Sequence, residues 1–117
     1  MTISDAFTGV AIVSTTELSC PNGGAAYSSA NGINSDGVYQ VFLDVSDMVA
    51  GDMLQIRVYE KCISGLTQRI VYESILQGAQ AQPIHVFPAL LLLHGWDVTL
   101  DSLAGTTIVY WSIRKVA

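Results

Sequence analysis

The residues that could perform acid–base or nucleophilic chemistry are few and lie far apart in this chain. Asp97 and Asp101 fall on one face of a predicted strand, where four residues at about 3.3 Å each put their Cα atoms roughly 13 Å apart. A retaining glycosidase needs its two carboxyl groups about 5–5.5 Å apart, so this pair is a poor acid–base site. No serine lies in the GxSxG turn of a nucleophile elbow. We therefore expect that the chain is not an enzyme.

The candidate metal ligands are equally scattered. The two histidines, His85 and His94, are nine residues apart, which is not a usual zinc spacing. Asp44, Asp47 and Asp52 cluster at a predicted turn and offer hard oxygen ligands for calcium, but their spacing matches no EF-hand. Solvated turn carboxylates are the preferred interpretation, and we expect no metal and no cofactor.

The cysteines give no further site. Cys20 and Cys62 are too few for a disulfide framework and lack the CxxC spacing of zinc or redox sites. Two buried, reduced thiols are the preferred interpretation, and the sequence leaves open whether the two meet.

The composition is poor in ionic groups. Half of the residues are hydrophobic and 13% are charged, against about 25% charged in an average soluble domain. The longest apolar stretch, residues 89–93, is far shorter than the roughly 20 residues of a membrane-spanning helix, and residues 1–5 lack the features of a secretory signal. We expect a chain made in the cytoplasm, without a membrane partner, that buries its apolar exterior against other protein subunits.

Direct binding to nucleic acid is not expected. The formal net charge is −5, whereas nucleic-acid binders present basic clusters to phosphates. The five basic residues form no dense run; they are Arg57, Lys61, Arg69, Arg114 and Lys115.

Alternation of apolar and polar residues predicts short β-strands. In residues 54–61, Leu54, Ile56 and Val58 alternate with polar neighbours, so that one face packs and the other stays polar. Turn residues interrupt such segments about every 8–12 residues, as in a sandwich or barrel. We predict strands at 7–14, 38–45, 54–61, 66–76, 84–93, 96–100 and 106–115. About eight strands in one domain of residues 1–117, with one helical turn at 46–52, make the fold class all-β.

The last predicted strand differs because both of its alternating sets are apolar. Ile108 and Tyr110 form one set, and Val109, Trp111 and Ile113 form the other. This pattern is typical of a central strand that is covered on both sides. We expect a neighbouring subunit to supply the outer cover, which makes Trp111 a candidate interface residue.

Several short segments resemble small virion structural proteins of tailed bacteriophages. They are Tyr59-Glu60-Lys61, Gly78-Ala79-Gln80, Pro88, His94-Gly95-Trp96-Asp97, Gly105-Thr106 and the stretch from Trp111 to Lys115. The resemblance rests on their order and covers about residues 37–116. It implies an antiparallel β-sandwich, jelly-roll-like, that acts as a decoration or cement protein on the capsid surface of the virion. It further implies a homotrimer that bridges subunits of the major capsid protein, and it transfers no residue-level binding site.

Exposed loops are the predicted contact elements, because a sandwich can extend them onto a neighbour without disturbing its core. They are an N-terminal arm of residues 1–7, the loop at 31–36 and the loop at 77–82. The predicted interface residues are Phe7, Asn31, Asn34, Gln77, Gln80, Gln82 and Trp111.

Two other functions remain open from the sequence. The first is another phage virion component, such as a tail, connector or fibre-attachment subunit, which would have the same fold and composition. The second is a carbohydrate-binding module with an exposed aromatic platform. Its candidate aromatics are Tyr39, Trp96, Tyr110 and Trp111, although core or interface packing is the commoner fate of aromatics in alternating strands.

Overall fold

The computed structural model describes residues 3–116, which form nine β-strands, one 3₁₀ turn and no α-helix. The strands are β1 (Ile3–Val13), β2 (Leu18–Ser19), β3 (Ala25–Ala26), β4 (Gly37–Asp44), β5 (Met53–Glu60), β6 (Arg69–Gln77), β7 (Ile84–Leu92), β8 (Asp97–Ala104) and β9 (Thr107–Val116). The 3₁₀ turn is Ser29–Asn31. Within the described part of the chain, no helix has the length and apolarity to span a bilayer.

The strands form two antiparallel sheets that face each other. One is four-stranded, in the order β1-β9-β4-β7, and the other is five-stranded, in the order β3-β2-β8-β5-β6. The pairs β1–β9, β2–β8, β4–β7 and β5–β6 are nested, so the chain folds like one long hairpin that is rolled up. This is a jelly roll, and the predicted all-β sandwich is confirmed.

The core lies between the two sheets and is built from alternate positions of the strands. In β5, Leu54, Ile56 and Val58 are fully buried, as the alternation predicts. Trp96 immediately precedes β8, and its ring packs 4.6 Å from the Tyr39 ring, between ring centroids. The rest of the cluster comes mainly from β4, β8 and β9: Val41, Leu43, Val45, Val98, Leu100, Val109, Trp111 and Ile113.

Connections between strands gather at two ends of the sandwich. The tip end carries segments 14–17, 45–52, 78–83 and 105–106, and the other end carries segments 32–36, 61–68 and 93–96. Since β4 runs toward the tip end and β5 runs back from it, these strands separate the two ends by about seven residues. At roughly 3.3 Å per residue this distance is about 23 Å.

The helical turn predicted at 46–52 is wrong. The segment forms two successive β-turns, closed by bonds from Met48 N to Val45 O (3.1 Å) and from Asp52 N to Val49 O (3.1 Å). The Asp52 carboxylate accepts a further bond from Val49 N at 3.0 Å. Backbone donors that a helix would need are thereby taken by turn carboxylates, which is how aspartate competes with helix formation. The short helical element lies instead at Ser29–Asn31, where a loop was predicted.

The predicted N-terminal arm is also wrong over its described part. Met1 and Thr2 lie outside the described residues, but Ile3–Val13 is a continuous edge strand paired with β9. A bulge between Asp5 and Phe7 shifts the register, and Phe7 packs against the core. Residues 3–7 therefore belong to the sandwich.

Gly105 is expected to be essential to the tip end. Its φ of +73° is unfavourable for any side chain, and a Cβ there would collide with the Asp52 carboxylate. We expect Gly105→Ala to lower the free energy of unfolding by about 1–3 kcal/mol, measured by urea denaturation. Gly78→Ala is the matched control, because Gly78 has a similar φ of +68° with nothing within 4 Å of its Cβ position. Equal losses for the two variants would show that the collision with Asp52 is unimportant.

Candidate interaction surfaces

The outer side of the four-stranded sheet carries an apolar face. It consists of Val10, Ile12, Ile84, Ile108 and Tyr110, with exposed fractions of 51%, 70%, 47%, 36% and 54%. Val10 lies opposite Tyr110, and Ile12 lies opposite Ile108, in the register of β1 and β9. Directly opposed side chains on one face of a sheet are neighbours, so these four residues form one patch. Ile84 lies on the same side of the sheet, beyond Asp44. The β9 residues of the patch are the outward set of the strand that was predicted to be covered on both sides.

Polar side chains border the apolar face on the side of the β1 start. The Arg114 guanidinium lies 3.7 Å from the centroid of the Phe42 ring, in a cation–π contact. The Asp5 carboxylate accepts bonds from Thr8 Oγ1 (2.5 Å) and Ser112 Oγ (2.9 Å). These two hydroxyl bonds lower the pKa of Asp5. An apolar centre with a charged border is the usual anatomy of a protein interface.

The outer side of the five-stranded sheet is a polar network. Glu17 Oε2 accepts bonds from Tyr59 Oη (2.7 Å) and Thr99 Oγ1 (2.6 Å), and lies 3.6 Å from Arg57 Nη1. Arg57 Nε in turn donates to Glu73 Oε2 at 2.8 Å. Burial and the bond to Glu17 raise the pKa of Tyr59. These groups bond one another, and the network therefore holds this face together.

Asp97 is buried beneath that network. Its Oδ1 accepts bonds from Ser19 Oγ (2.7 Å) and Val98 N (2.8 Å), while its Oδ2 bonds to none of the described residues. Burial raises the pKa of Asp97 to about 6, against the two bonds that lower it, and the Glu17 charge adds to the rise. Burial and the charge of Asp97 also raise the pKa of the Cys20 thiol. Because the thiolate is the reactive form, Cys20 is a poor nucleophile.

A groove opens where the free edges of the two sheets come together. It lies between the start of β6 and the end of β7, and its volume is about 890 Å³. Both strands are outermost in their sheets. The groove's apolar lining is Val38, Leu66, Val71, Leu91, Leu92 and Leu93, and its charged or titratable lining is Asp36, Glu60, Lys61, Arg69 and His94. No pattern in the sequence indicates this groove.

Two predicted interface residues contribute to the core, Trp111 as a buried side chain and Phe7 as a partly buried one. Trp111 belongs to the inward set of β9 and is 3% exposed, and Phe7 packs edge-on against Trp96 with ring centroids 5.9 Å apart. Gly9 leaves room for the Trp111 ring, because a Cβ at position 9 would collide with that ring. The structure buries Trp111 within its own chain and leaves Phe7 partly exposed, and the role of these two residues as contacts stays a prediction.

The other predicted interface residues lie at opposite ends of the sandwich. Asn34 is exposed at the end that bears the groove, and Gln77 and Gln82 are exposed at the tip end. Gln80 holds its own loop, since its Nε2 donates to Gln77 O (2.9 Å) and Gly78 O (3.1 Å). The side chain of Asn31 lies outside the described residues. These residues do not make one surface, and their role as contacts stays a prediction.

The candidate metal ligands serve the backbone or stand apart. Asp44 Oδ1 accepts from Ser46 N (3.0 Å), and Asp47 Oδ2 accepts from Ile108 N (2.8 Å). Among residues 3–116, no three His, Cys, Asp or Glu side chains are grouped so as to hold a metal ion. The cysteines are not both buried as expected: Cys20 is buried, but Cys62 is exposed beside the groove, and neither is in a disulfide.

The aromatic residues do not form the platform of a carbohydrate-binding module. Tyr39, Trp96 and Trp111 are all in the core, as the alternation favours. Tyr110, the fourth candidate aromatic, is exposed and belongs to the apolar face.

Comparisons with known proteins show the fold and leave the function open. No protein-family model matches the chain, and no curated protein matches it. A solved structure of a protein from Bacillus endospore appendages, described as disulfide-linked pili, is similar with a TM-score of 0.51 and 15% identity, over 97% of this chain and 93% of that one. At this identity the likeness shows the fold alone.

Two further solved structures are more distant. A pentameric capsid protein isolated from metagenomic phage sequences has a TM-score of 0.38 and 18% identity, over 93% of this chain and 62% of that one. The Eiger TNF of S. frugiperda has a TM-score of 0.42 and 16% identity, over 74% of this chain and 63% of that one.

Proposed function

We propose that this chain is a structural subunit of a virus particle, and more narrowly a decoration or cement protein on the outer surface of a phage head. The observation that carries the proposal is the apolar face. It places five exposed apolar side chains together on a rigid sheet in a chain that is only 13% charged. Contiguous apolar patches of a few hundred Å² on soluble proteins usually mark interaction sites.

The two sides of the sandwich differ in a way that supports a protein partner. On the outer side of the five-stranded sheet, Glu17, Arg57 and Tyr59 bond to one another or to Glu73, although Gln55 Oε1 and Asp101 Oδ1 bond to none of the described residues. The apolar face has no comparable network. Removing it from water lowers the free energy by about 25 cal/mol per Å² of apolar surface buried. A second protein surface supplies that burial and can pair with the polar border at Asp5 and Arg114.

The proposed partner is the major capsid protein, and the chain's own copies, arranged as a homotrimer, are the second partner. A flat sheet face can rest on two neighbouring capsid subunits at once, across the seam between them. A ligand that binds only the assembled shell stabilises that shell by mass action. Each bound copy would therefore raise the resistance of the head to opening.

A tail, connector or fibre-attachment subunit is the alternative within the same class, because it would use the same apolar face on a different part of the particle. Electron cryo-microscopy of the particle that contains this chain decides between them. Density for the jelly roll on the outside of the head supports the proposal, and density at the tail or connector replaces it with the alternative.

Substitutions on the apolar face test the proposal directly. We expect Tyr110→Ala to weaken binding to heads that lack the chain by about 10- to 100-fold, since a buried aromatic or aliphatic side chain contributes about 1.5–3 kcal/mol. Ile12→Asp, which would bury an unpaired charge, should weaken it further. Binding is measured by co-sedimentation of the purified variants with such heads.

The matched control is Ile75→Asp, because Ile75 is 45% exposed on the other sheet, outside the apolar face. This variant should bind like the unmodified chain. Thermal unfolding of all three variants checks that they remain folded. If Tyr110→Ala and Ile12→Asp are folded and bind as well as the control, the apolar face is not the contact and the proposal fails.

A further inference from the structure

The turn between β4 and β5 is acidic and ends in an exposed apolar side chain. We name residues 44–52 the acidic tip; it contains Asp44, Asp47 and Asp52 and no Lys, Arg or His. Val49 lies at its outer turn and is 61% exposed. Of the three aspartates, Asp47 is exposed, Asp44 is half-buried and Asp52 is buried. The tip therefore presents a hydrophobic side chain on the same turn as the exposed Asp47 carboxylate.

The acidic tip is held rigidly by its own carboxylates. Asp44 accepts from Ser46 N, Asp52 accepts from Val49 N, and Asp47 accepts from Ile108 N at the start of β9. The bond from Gly78 N to Asp52 O (2.8 Å) ties the tip to the loop after β6. A turn that is ordered before it binds loses little conformational entropy on binding.

The lining of the groove at the other end includes two basic side chains and two carboxylates. Lys61 and Arg69 line it, and neither takes part in an ion pair among the described residues, where both pairs involve Arg57. The Glu60 carboxylate is already engaged by Leu93 N (2.6 Å) and His94 N (3.0 Å). Asp36 is the remaining carboxylate of the lining. The lining thus offers two basic side chains that form no ion pair among the described residues, beside a set of apolar side chains.

The size of the groove matches a turn better than a single side chain. Its volume of about 890 Å³ lies in the ~300–1,000 Å³ range of pockets that enclose ligands of many atoms. Leu91 and Leu93 line the groove. They are 76% and 52% exposed, so the described residues leave most of their surface uncovered.

The tip and the groove cannot meet within one molecule. Gly37, at the start of β4, lines the groove, and Asp44, at the end of the same strand, begins the tip. The strand between them holds them about 23 Å apart, at roughly 3.3 Å per residue. The tip of a second copy has no such constraint.

We propose that the acidic tip of one copy docks in the groove of the next, so that copies of this chain associate head to tail. Val49 packs beside Leu91 and Leu93, and the exposed Asp47 carboxylate faces Lys61 and Arg69. Such a contact is heterologous and repeats from copy to copy, as a ring or a filament. The tip adjoins the apolar face, since Asp44 lies opposite Tyr110 in the register of β4 and β9, but Val49 is not part of that face. The contact holds whether or not the chain binds a phage head.

Two complementary variants test this contact. Val49→Lys puts a cation at the point of the tip that enters beside Lys61 and Arg69, and the double variant Lys61→Glu/Arg69→Glu makes the groove lining repel the tip. Light scattering and native mass spectrometry over a concentration series should show oligomers of the unmodified chain. Each variant alone should self-associate at least about tenfold more weakly.

Mixing the two variants gives the decisive result. The double variant keeps an intact tip and the Val49→Lys variant keeps an intact groove, so one contact can form. In the opposite contact the new lysine of one variant lies beside the new glutamates of the other, so this contact is not excluded. We expect the mixture to recover the association that each variant alone has lost, beginning with a one-to-one heterodimer. A symmetric contact, in which the same patch meets itself, predicts no such heterodimer.

Ile12→Lys is the matched control, since Ile12 is a 70% exposed residue of the apolar face. It should leave self-association unchanged while it abolishes binding to heads, which separates this contact from the proposed function. The inference is overturned if the unmodified chain is monomeric at every concentration. It is also overturned if Val49→Lys associates normally, or if the mixture remains monomeric while both variants are folded by circular dichroism.

Discussion

Replacing Trp96 by alanine is expected to lower the free energy of unfolding by about 3–5 kcal/mol, the usual cost of deleting a large aromatic from a core. Trp96 is fully buried, and its ring packs on both Phe7 of β1 and Tyr39 of β4. Its Nε1 donates to Ser35 O at 2.9 Å, which anchors the loop that leads into β4. Chemical denaturation in urea, followed by circular dichroism, measures the loss.

Two further variants separate burial from aromatic content. Trp96→Phe keeps most of the ring packing and loses the bond to Ser35, so it should cost about 1–3 kcal/mol. Tyr110→Ala removes an exposed aromatic and should stay within about 0.5 kcal/mol of the unmodified chain. If Trp96→Ala costs less than about 1 kcal/mol, the packing around Trp96 does not hold the two sheets together.

The strands with clear alternation could be predicted from the sequence. Leu54, Ile56 and Val58 point into the core, as their period of two requires. The strands β4, β7 and β9 also agree with the predicted segments within a few residues. A period of two arises from backbone geometry, and it is therefore visible in a single sequence.

The elements that were missed or misplaced depend on contacts between distant residues. The strands β2 and β3 contain two residues each, which is too short for any periodicity to appear. Asp97 and Thr99 are polar residues that alternate with core residues of β8, yet both are fully buried. Their cover includes Glu17, about 80 residues earlier in the chain, whose carboxylate accepts a bond from Thr99. Local pattern does not contain this information.

The interaction surfaces were predictable only in part. Both alternating sets of β9 are visibly apolar in the sequence, but periodicity does not say which set points outward. The sequence predicts Trp111 as the interface residue, whereas the exposed residues of β9 are Ile108 and Tyr110. The groove is formed by edges of two different sheets, and these edges meet only after the chain is rolled up. The aspartates of the acidic tip are visible as a cluster in the sequence. That they lie at the opposite end of the sandwich from Lys61 and Arg69 follows only from the order and direction of the strands.

The buried carboxyl of Asp97 makes the stability of the chain depend on pH. Its pKa is raised from 3.8 to about 6 in the folded chain, so between these values the folded state keeps a proton that the unfolded state releases. Stability is therefore highest at low pH with respect to this group, falls as the pH rises from about 4 to about 6, and is constant above that. We expect Asp97→Asn to be more stable than the unmodified chain by on the order of 2–3 kcal/mol at neutral pH, measured by urea denaturation.

The pH profile of the difference between the two chains identifies the cause. At about pH 4 the carboxyl is neutral in the folded state, so Asp97→Asn should bring almost no gain there, and the gain should grow until about pH 6. The pKa values of Asp5 and Asp44 are lowered by hydrogen bonds, which gives stability of the opposite sign, but both groups are present in both chains and cancel. Asp36→Asn removes an exposed carboxylate and serves as the control for the loss of one negative charge. A gain of equal size at pH 4 and pH 7 would mean that asparagine packs better than aspartate, and that burial of the charge is not what costs stability.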